Sequence, residues 1–562
     1  MNSFASLLSN KKKALILFAV SLLSLATVIT RTIDNEKNMQ WFDDSGRDTT
    51  VAKLIVENGK YTDIRPGAGL LPALKNSTLY YNYLAGLYRL SGKNAAVFFD
   101  LYATISGIIT VISIFFIGYI LMGLRLALPA ALTVLLHPLI IFINVSIYQR
   151  HLLASLTPLF VLFALLAYRK KTLLYLWLAT IGYLLLLCAN YGAITLLPIL
   201  LWIHYDFFAN TTKKKNILLH IGFLLISIGA FWSTIGFDWH EIQIKDVAGP
   251  SNSSLFYPLY QIFFFFQALF NWKLKYVTVF LVGIVLLLLL KRKKTGLEKL
   301  FYWILATYFI FQLGLGYGMS TVHMSSLNLE SDYFYHYLAL FLVVPYLSVL
   351  DPVTNRGLKK VFVALFILVV FAFPAFLATQ RQAQPRIEYK KNYFRTKTVA
   401  DSILAHQQHM HVLNGRQPVI IDNTIWEPPP GWFAPSLVFH AIRNTGEYYA
   451  LRTIGNNLKY RRKEFDSFYL VCRHWAAPGE NTPYSNNPDI ITKSCVNDLF
   501  TNYINGTTPD DYAIETVYRE TEYGNDNFVV LFIDMKGRTL SSEFLLNPWP
   551  DPPQENLSRA TM

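Results

Sequence analysis

The chain has 562 residues, 53% of them hydrophobic and 15% aromatic, with only 15% charged. It is too apolar and too long for one soluble core, which points to a polytopic membrane protein. The net charge of +14 does not imply a nucleic-acid partner, because the excess sits in short basic loops that orient a membrane protein against anionic lipid.

The first apolar run, 14–30, follows "NKKK" and ends in "SLATVIT", which offers no clean small-x-small cleavage site. It therefore reads as a retained helix, not a signal peptide. Apolar runs of about 15 to 25 residues recur at 97–121, 126–147, 152–167, 172–188, 190–205, 217–236, 276–290, 299–317, 333–350 and 360–378, each near the length that crosses a hydrocarbon core of about 30 Å. The expected total is about eleven spans. A further run, "LFYPLYQIFFFFQALF" (Leu255 to Phe270), suits an interfacial or re-entrant helix. Short basic clusters at Lys11–Lys13, Arg125, Arg169–Lys171, Lys213–Lys215, Lys291–Lys294 and Arg356–Lys360 all fall on the cytoplasmic side if the N-terminus is inside. The longer loops 31–96, 237–275 and 318–332 then lie outside, and the expected location is the inner, cytoplasmic membrane.

The first outer loop opens with "QWFDDSGRDTTVAKLIVENGKYTDIRPG". Ser45 to Val56 has helix-compatible composition, Asp43 or Asp44 can cap it, and Asn58 and Gly59 can stop it. At helical spacing Asp44, Arg47, Asp48, Val51 and Ile55 share one stripe, so docking of the apolar end carries the ionisable end inward. On a generic surface helix Asp44 is only an N-cap and Arg47 with Asp48 a solvated pair. At the mouth of a helical bundle such groups are costly and are functional candidates.

Next comes "LLPALKNSTLYYNYLAGLYRLSGKN", where Asn76 or Ser77 caps a second helix. Its tyrosines are explained as an interfacial belt. Lys75 is not, because an ammonium beside the free N–H groups of a helix start favours a phosphate.

From about Gln380 the composition turns polar, so 1–380 is expected to be the membrane domain and 381–562 a soluble, extracytoplasmic α/β domain. "QPVIIDNTIW", "SFYLVCRHW", "YAIETVYRET" and "NFVVLFIDM" read as strands, and "KTVADSILAHQQHMHVL" and "PSLVFHAIRNTG" as helices. Cys472 and Cys495 are positioned to pair in an oxidising compartment, whereas Cys188 lies within a span. The stiff loop "TIWEPPPGWFAP" sets Trp426 and Trp432 either as stacking groups for the sugar rings of an acceptor or as core residues of a proline turn.

"WFDDSGRDTTVAKLIVENGKY" followed by "LPALKNSTLYYNYLAGLYRLSGKN" resembles the first periplasmic loop of the GT-C glycosyltransferases, in the branch of the protein O-mannosyltransferases and the lipid A aminoarabinose transferase. The resemblance implies a polytopic α-helical fold of GT-C type. It also implies a sugar donor joined by a phosphate to a polyprenol, used without a nucleotide where lipid meets water. Asp44 falls on the family's catalytic acidic position, Ser45 replaces its usual second Glu or Gln, and Arg47 and Asp48 match the end of the motif. Lys75 matches a phosphate-contacting lysine of some members, while the usual Pro-Pro pair is replaced by "NST". The tenth span, "ESDYFYHYLALFLVVPY", is similar to the segment the family places over the donor phosphate, which nominates His336 with Tyr333 or Tyr335.

The implied reaction is inverting transfer from the polyprenyl-phosphate sugar to a hydroxyl of a glycan, lipid or protein acceptor. Asp44 would be the base, Asp48 a second carboxylate, and Arg47, Lys75, His336 and Tyr335 the phosphate ligands. Several relatives carry another acidic residue where this chain has "NVSIYQRHLLASLTP", with Gln149, Arg150 and His151. No Asp-x-Asp or His/Cys cluster indicates a metal, and no cofactor is expected. The rival readings are a transporter or flippase, which would concentrate charge and broken helices at the membrane midplane, and a non-catalytic envelope scaffold.

Overall fold

The computed structural model describes residues 11–33, 48–49, 51–53, 55–56, 67–68, 71–75, 77–210, 214–234, 236–237, 290, 293–320, 336–350, 359–369, 383–409, 420–422, 448–450, 464–465, 467–474, 513–520, 527–534 and 540–541. The chain divides into two compact units, Met1–Met39 with Gly67–Arg386, and Gln40–Pro66 with Ile387–Met562.

The first unit is a bundle of apolar helices. Its first helix, α1 (Lys11–Thr32), exposes Leu15, Phe18, Leu22, Leu25 and Ile29 along one face and buries Ala19, Leu23, Thr27 and Arg31 at four-residue spacing along another. An exposed apolar stripe of this kind is stable against hydrocarbon chains, while the buried stripe packs on protein. Two short strands, β1 (Gly67–Ala68) and β2 (Leu71–Lys75), lead into α2 (Thr78–Leu90). There follow α3 (Ala95–Met122), α4 (Leu124–Leu136), α5 (Pro138–Val145) and α6 (Gln149–Lys170). After these come α7 (Leu173–Ala189), a 3-10 turn (Tyr191–Leu196), α8 (Leu197–Ala209), α9 (Lys214–Thr234) and β3 (Gly236–Phe237). The unit continues with α10 (Gly296–Ser320), α11 (Leu338–Phe341) and α12 (Val344–Leu347).

Among the described residues, five helices are long and apolar enough to cross a membrane, or six if the bent pair α4–α5 is one span. The chain is an integral membrane protein on this ground. Buried most deeply is α6, with 72% of its apolar window inside the protein, whereas α9 has 6% and turns Leu218, Leu225, Ile226 and Trp232 outward.

Two joints differ from a simple run of rods. The stretch 126–147, which run length alone reads as one span, is two helices bent by 63°. Its break is local: His137 is extended (φ −70°, ψ 120°) and Pro138 opens α5, and a residue before proline avoids the helical region. Between α3 and α4 the chain turns at Gly123 with φ +78°, which a residue with a Cβ adopts only under strain.

Helix α13 (Ala383–His409), which belongs to the second unit from Ile387 on, precedes β4 (Ile420–Asp422), β5 (Tyr448–Ala450), β6 (Glu464–Phe465), β7 (Ser467–His474), β8 (Ala513–Arg519), β9 (Asn527–Asp534) and β10 (Leu540–Ser541). Five of these make a mixed sheet in the order β5-β4-β7-β9-β8, parallel from β5 to β7 and antiparallel from β7 to β8. The central strand β7 is buried on both faces, which is why "SFYLVC" is almost continuously apolar. Val399, Ala400 and Ile403 of α13 pack on Tyr469, Val471 and Phe532 of the sheet. Exposed β8 ends the sheet with a bulge between Thr516 and Tyr518 and with the charged Glu515 and Arg519, features that discourage pairing with another edge. Cys472 is disulfide-bonded and Cys188 is free and buried; the third cysteine, Cys495, lies outside the described residues.

Candidate functional site

Hydrogen bonds gather several helix ends at one end of the bundle. Ser77 caps α2: its Oγ accepts the Leu79 N–H at 3.2 Å and donates to Thr234 Oγ1, the last residue of α9, at 3.0 Å. The Thr78 hydroxyl donates to the Thr234 carbonyl at 3.3 Å, and β2 pairs with β3 so that Lys75 sits opposite Gly236. Lys75 is thus the last residue of a strand tied to the end of α9, two residues ahead of the cap, and not part of an irregular loop. Gln149 at the start of α6 donates to the Tyr81 hydroxyl at 3.2 Å, which fixes α6 to α2. His151 is buried edge-on between Phe142 and Tyr148, with ring centroids 5.3 and 5.1 Å away, and the Arg150 guanidinium lies 5.3 Å from the Tyr148 ring centre.

At this same end is a buried polar hub that sequence reasoning missed. Arg31, in the last turn of α1, is 1% exposed. Its Nε and Nη2 both donate to Asn144 Oδ1 at 3.2 Å, and its Nη1 donates to the Leu135 carbonyl and Thr30 Oγ1 at 2.9 Å. Asn144 spends its amide hydrogens on Thr110 Oγ1 (3.2 Å) and Ser155 Oγ (3.0 Å). One asparagine therefore joins α1, α3, α5 and α6. Room for the guanidinium comes from Gly107, where a Cβ would sit 2.7 Å from Thr27 Cγ2 and 3.0 Å from Arg31 Cγ. A lone arginine in the final turn of an apolar run, with small polar residues scattered through the next spans, is the sequence signal of this hub.

His336 is 1% exposed, and its Nε2 lies 3.1 Å from Thr195 Oγ1. The Thr195 hydroxyl gives its proton to the Gly192 carbonyl, so Nε2 is the donor in that contact and is committed to the protein. The neighbouring Tyr337 hydroxyl is 2.6 Å from Thr307 Oγ1. In the second unit Asp48 is 0% exposed, and Val51 and Ile55, one turn and two turns on, are buried as well. Asp44, Arg47, Tyr333, Tyr335, Trp426 and Trp432 lie outside the described residues.

No protein-family model matches the sequence, and no curated protein sequence matches it. Solved structures do. ArnT from Cupriavidus metallidurans, the lipid A aminoarabinose transferase, bound to undecaprenyl phosphate, matches with a TM-score of 0.54 at 11% identity, over 92% of this chain and 98% of that one. Its apo state matches with a TM-score of 0.55, also at 11% identity, over 93% and 98%. The chain has the GT-C membrane fold. An Archaeoglobus fulgidus oligosaccharyltransferase in complex with Zn and sulfate shows a looser likeness, with a TM-score of 0.44 at 12% identity over 75% of this chain and 62% of that one. Identity this low speaks for the GT-C fold alone; the chemistry has to be argued from this chain's own residues.

Proposed function

We propose that the protein is a glycosyltransferase that moves a sugar from a polyprenyl-phosphate-linked donor to an acceptor hydroxyl, with inversion, on the outer face of the inner membrane. The observation that carries this reading is the likeness to ArnT over almost the whole of both chains, joined to a first loop whose "DDSGRD" and "ALKNST" segments supply the acid and the cation such a reaction needs. The ArnT structure holds undecaprenyl phosphate, which is the class of carrier we assign to the donor.

In this reading the full chain has about eleven spans, with the N-terminus in the cytoplasm and the 381–562 α/β domain outside. Asp44 accepts the proton of the attacking hydroxyl, and Asp48, buried, is the second carboxylate. As the bond to the anomeric carbon breaks, negative charge collects on the departing phosphate, and Lys75, Arg47, Tyr335 and His336 are the groups assigned to it. Of these, Lys75 has a position suited to the task, because its strand is fixed to α9 and it lies just ahead of the N-terminal, positive end of α2. The Nε2 of His336 is held by Thr195. Trp426 and Trp432 are assigned to the acceptor. We assign no cofactor to this chemistry, the sequence giving no sign of a metal site.

Cells with and without the gene, compared for lipid-linked sugars, test the reaction: loss of the gene should leave an unused donor and so name the sugar. In purified protein, Asp44→Asn should lower transfer by orders of magnitude with folding intact, because the amide cannot take the proton. Turnover by that variant at the wild-type rate removes Asp44 as the base and moves the test to Asp48.

A further inference from the structure

Arg31 carries a full positive charge into the bundle, yet every acceptor around it is neutral. Two bonds go to an amide oxygen, one to a backbone carbonyl and one to a hydroxyl. Among the described residues no carboxylate reaches it. The forked pair of N–H groups that normally grips a carboxylate closes instead on the single oxygen of Asn144. An aspartate has nearly the same shape and would neutralise the charge, so at this position the amide preserves it.

A buried, unneutralised cation is expensive, and hydrophobic or paired substitutes would hold the helices together more cheaply. The hydrogen bonds therefore account for where Arg31 sits and leave its charge unexplained. Four of its five N–H bonds are taken, so it is built to act through its field and not as a direct ligand. It stands at the end of the bundle where α2 and α6 begin, and low-dielectric walls carry such a field further than water does.

We propose that Arg31 is a specificity-determining residue, a fixed cation held uncompensated by Asn144 that makes this end of the bundle select lipids bearing a phosphate over the corresponding neutral lipids. The inference rests on the polyprenyl-phosphate reading above and adds a residue and a means of selection to it. In general, a unit charge changes the affinity of an anion held about 10 Å away by roughly ten- to twentyfold at an effective dielectric near 20.

The test uses the full-length protein in lipid nanodiscs and measures binding of undecaprenyl phosphate, of undecaprenol and of inorganic phosphate. Wild type should prefer the phosphate lipid to the alcohol. Asn144→Asp, which adds the missing counter-charge and gives up the two N–H bonds to Thr110 and Ser155, should lower that preference about tenfold. Arg31→Gln should lower it by a similar factor, and the ratio of the two lipids cancels any loss of folded protein. Arg31→Lys should retain most of it. An unchanged ratio in both Asn144→Asp and Arg31→Gln, with the wild-type preference intact, overturns the inference and leaves the glycosyltransferase reading standing. No preference in the wild type overturns both. Equal displacement of the lipid by inorganic phosphate at matched concentration would make the ligand a free anion and overturn the lipid assignment.

Discussion

Two arginines are buried to nearly the same degree and are treated in opposite ways. Arg31 in the membrane unit is 1% exposed and faces neutral oxygens, whereas Arg395 in the second unit is 5% exposed and grips Glu520 with Nε at 2.9 Å and Nη2 at 2.5 Å. Glu520 also accepts the Phe528 N–H at 3.1 Å, and the Arg395 guanidinium lies 4.5 Å from the Phe528 ring centre. At Arg395 the charge is consumed by the fold, fastening α13 to the end of the sheet. At Arg31 only the hydrogen-bonding geometry is consumed and the charge is left over. The difference teaches that burial alone does not tell a structural ion from a functional one; the identity of the acceptor does.

The sharpest way to break that comparison is to neutralise the acceptor in the second unit. Glu520→Gln should destabilise it by about 3–5 kcal/mol, because Arg395 would be left buried without a counter-charge. Thermal or denaturant unfolding reads this. A loss below about 1 kcal/mol for Glu520→Gln would mean that the pair is solvated and the contrast false.

A smaller effect separates the units by pH. Burial, reinforced by the Glu515 carboxylate, pushes the Tyr469 phenol up to about 12, while its hydroxyl bonds His406 Nδ1 at 3.0 Å. Because the folded value lies above the unfolded one of about 10, its contribution is complete below pH 10 and is lost as pH rises toward 12. The loss should be at most about 2–3 kcal/mol. Unfolding of the second unit followed from pH 9 upward should show this decline, and Tyr469→Phe should flatten it. An equal decline in the phenylalanine variant would assign the effect to other groups.

The smallest expected effect concerns the space made for Arg31. Gly107→Ala puts a methyl 2.7 Å from Thr27 Cγ2 and should cost about 1–3 kcal/mol through displacement of α1. If Arg31 moves with the helix, the phosphate-lipid preference should fall in the same variant. A full stability loss with an unchanged preference would show that the field does not depend on this packing.

Much of the local structure was legible. "KNSTLYY" announces the cap that Ser77 makes, and the apolar runs at 14–30, 97–121 and 152–167 become α1, α3 and α6. "SFYLVCRHW" and "NFVVLFIDM" become β7 and β9, since a strand buried on both faces has little room for polar side chains. Less was legible at Lys75, whose strand exists because of a partner at Gly236, and at His137–Pro138, where an unbroken apolar run hides a 63° bend.

The sequence by itself determined the membrane class and, among the described residues, most of the helix and strand segments, because chain length in lipid, side-chain alternation and capping are properties of neighbouring residues. Tertiary structure alone decided the sheet order, the commitment of His336 to Thr195 and the hub around Arg31. Those depend on atoms brought together from 104 and 113 residues apart in the case of Arg31 and 141 in the case of His336. The physical reason is that a polar group's meaning is set by its partner: arginine beside a carboxylate is a rivet and arginine beside an amide is a charge, and no local pattern records which one the fold supplies.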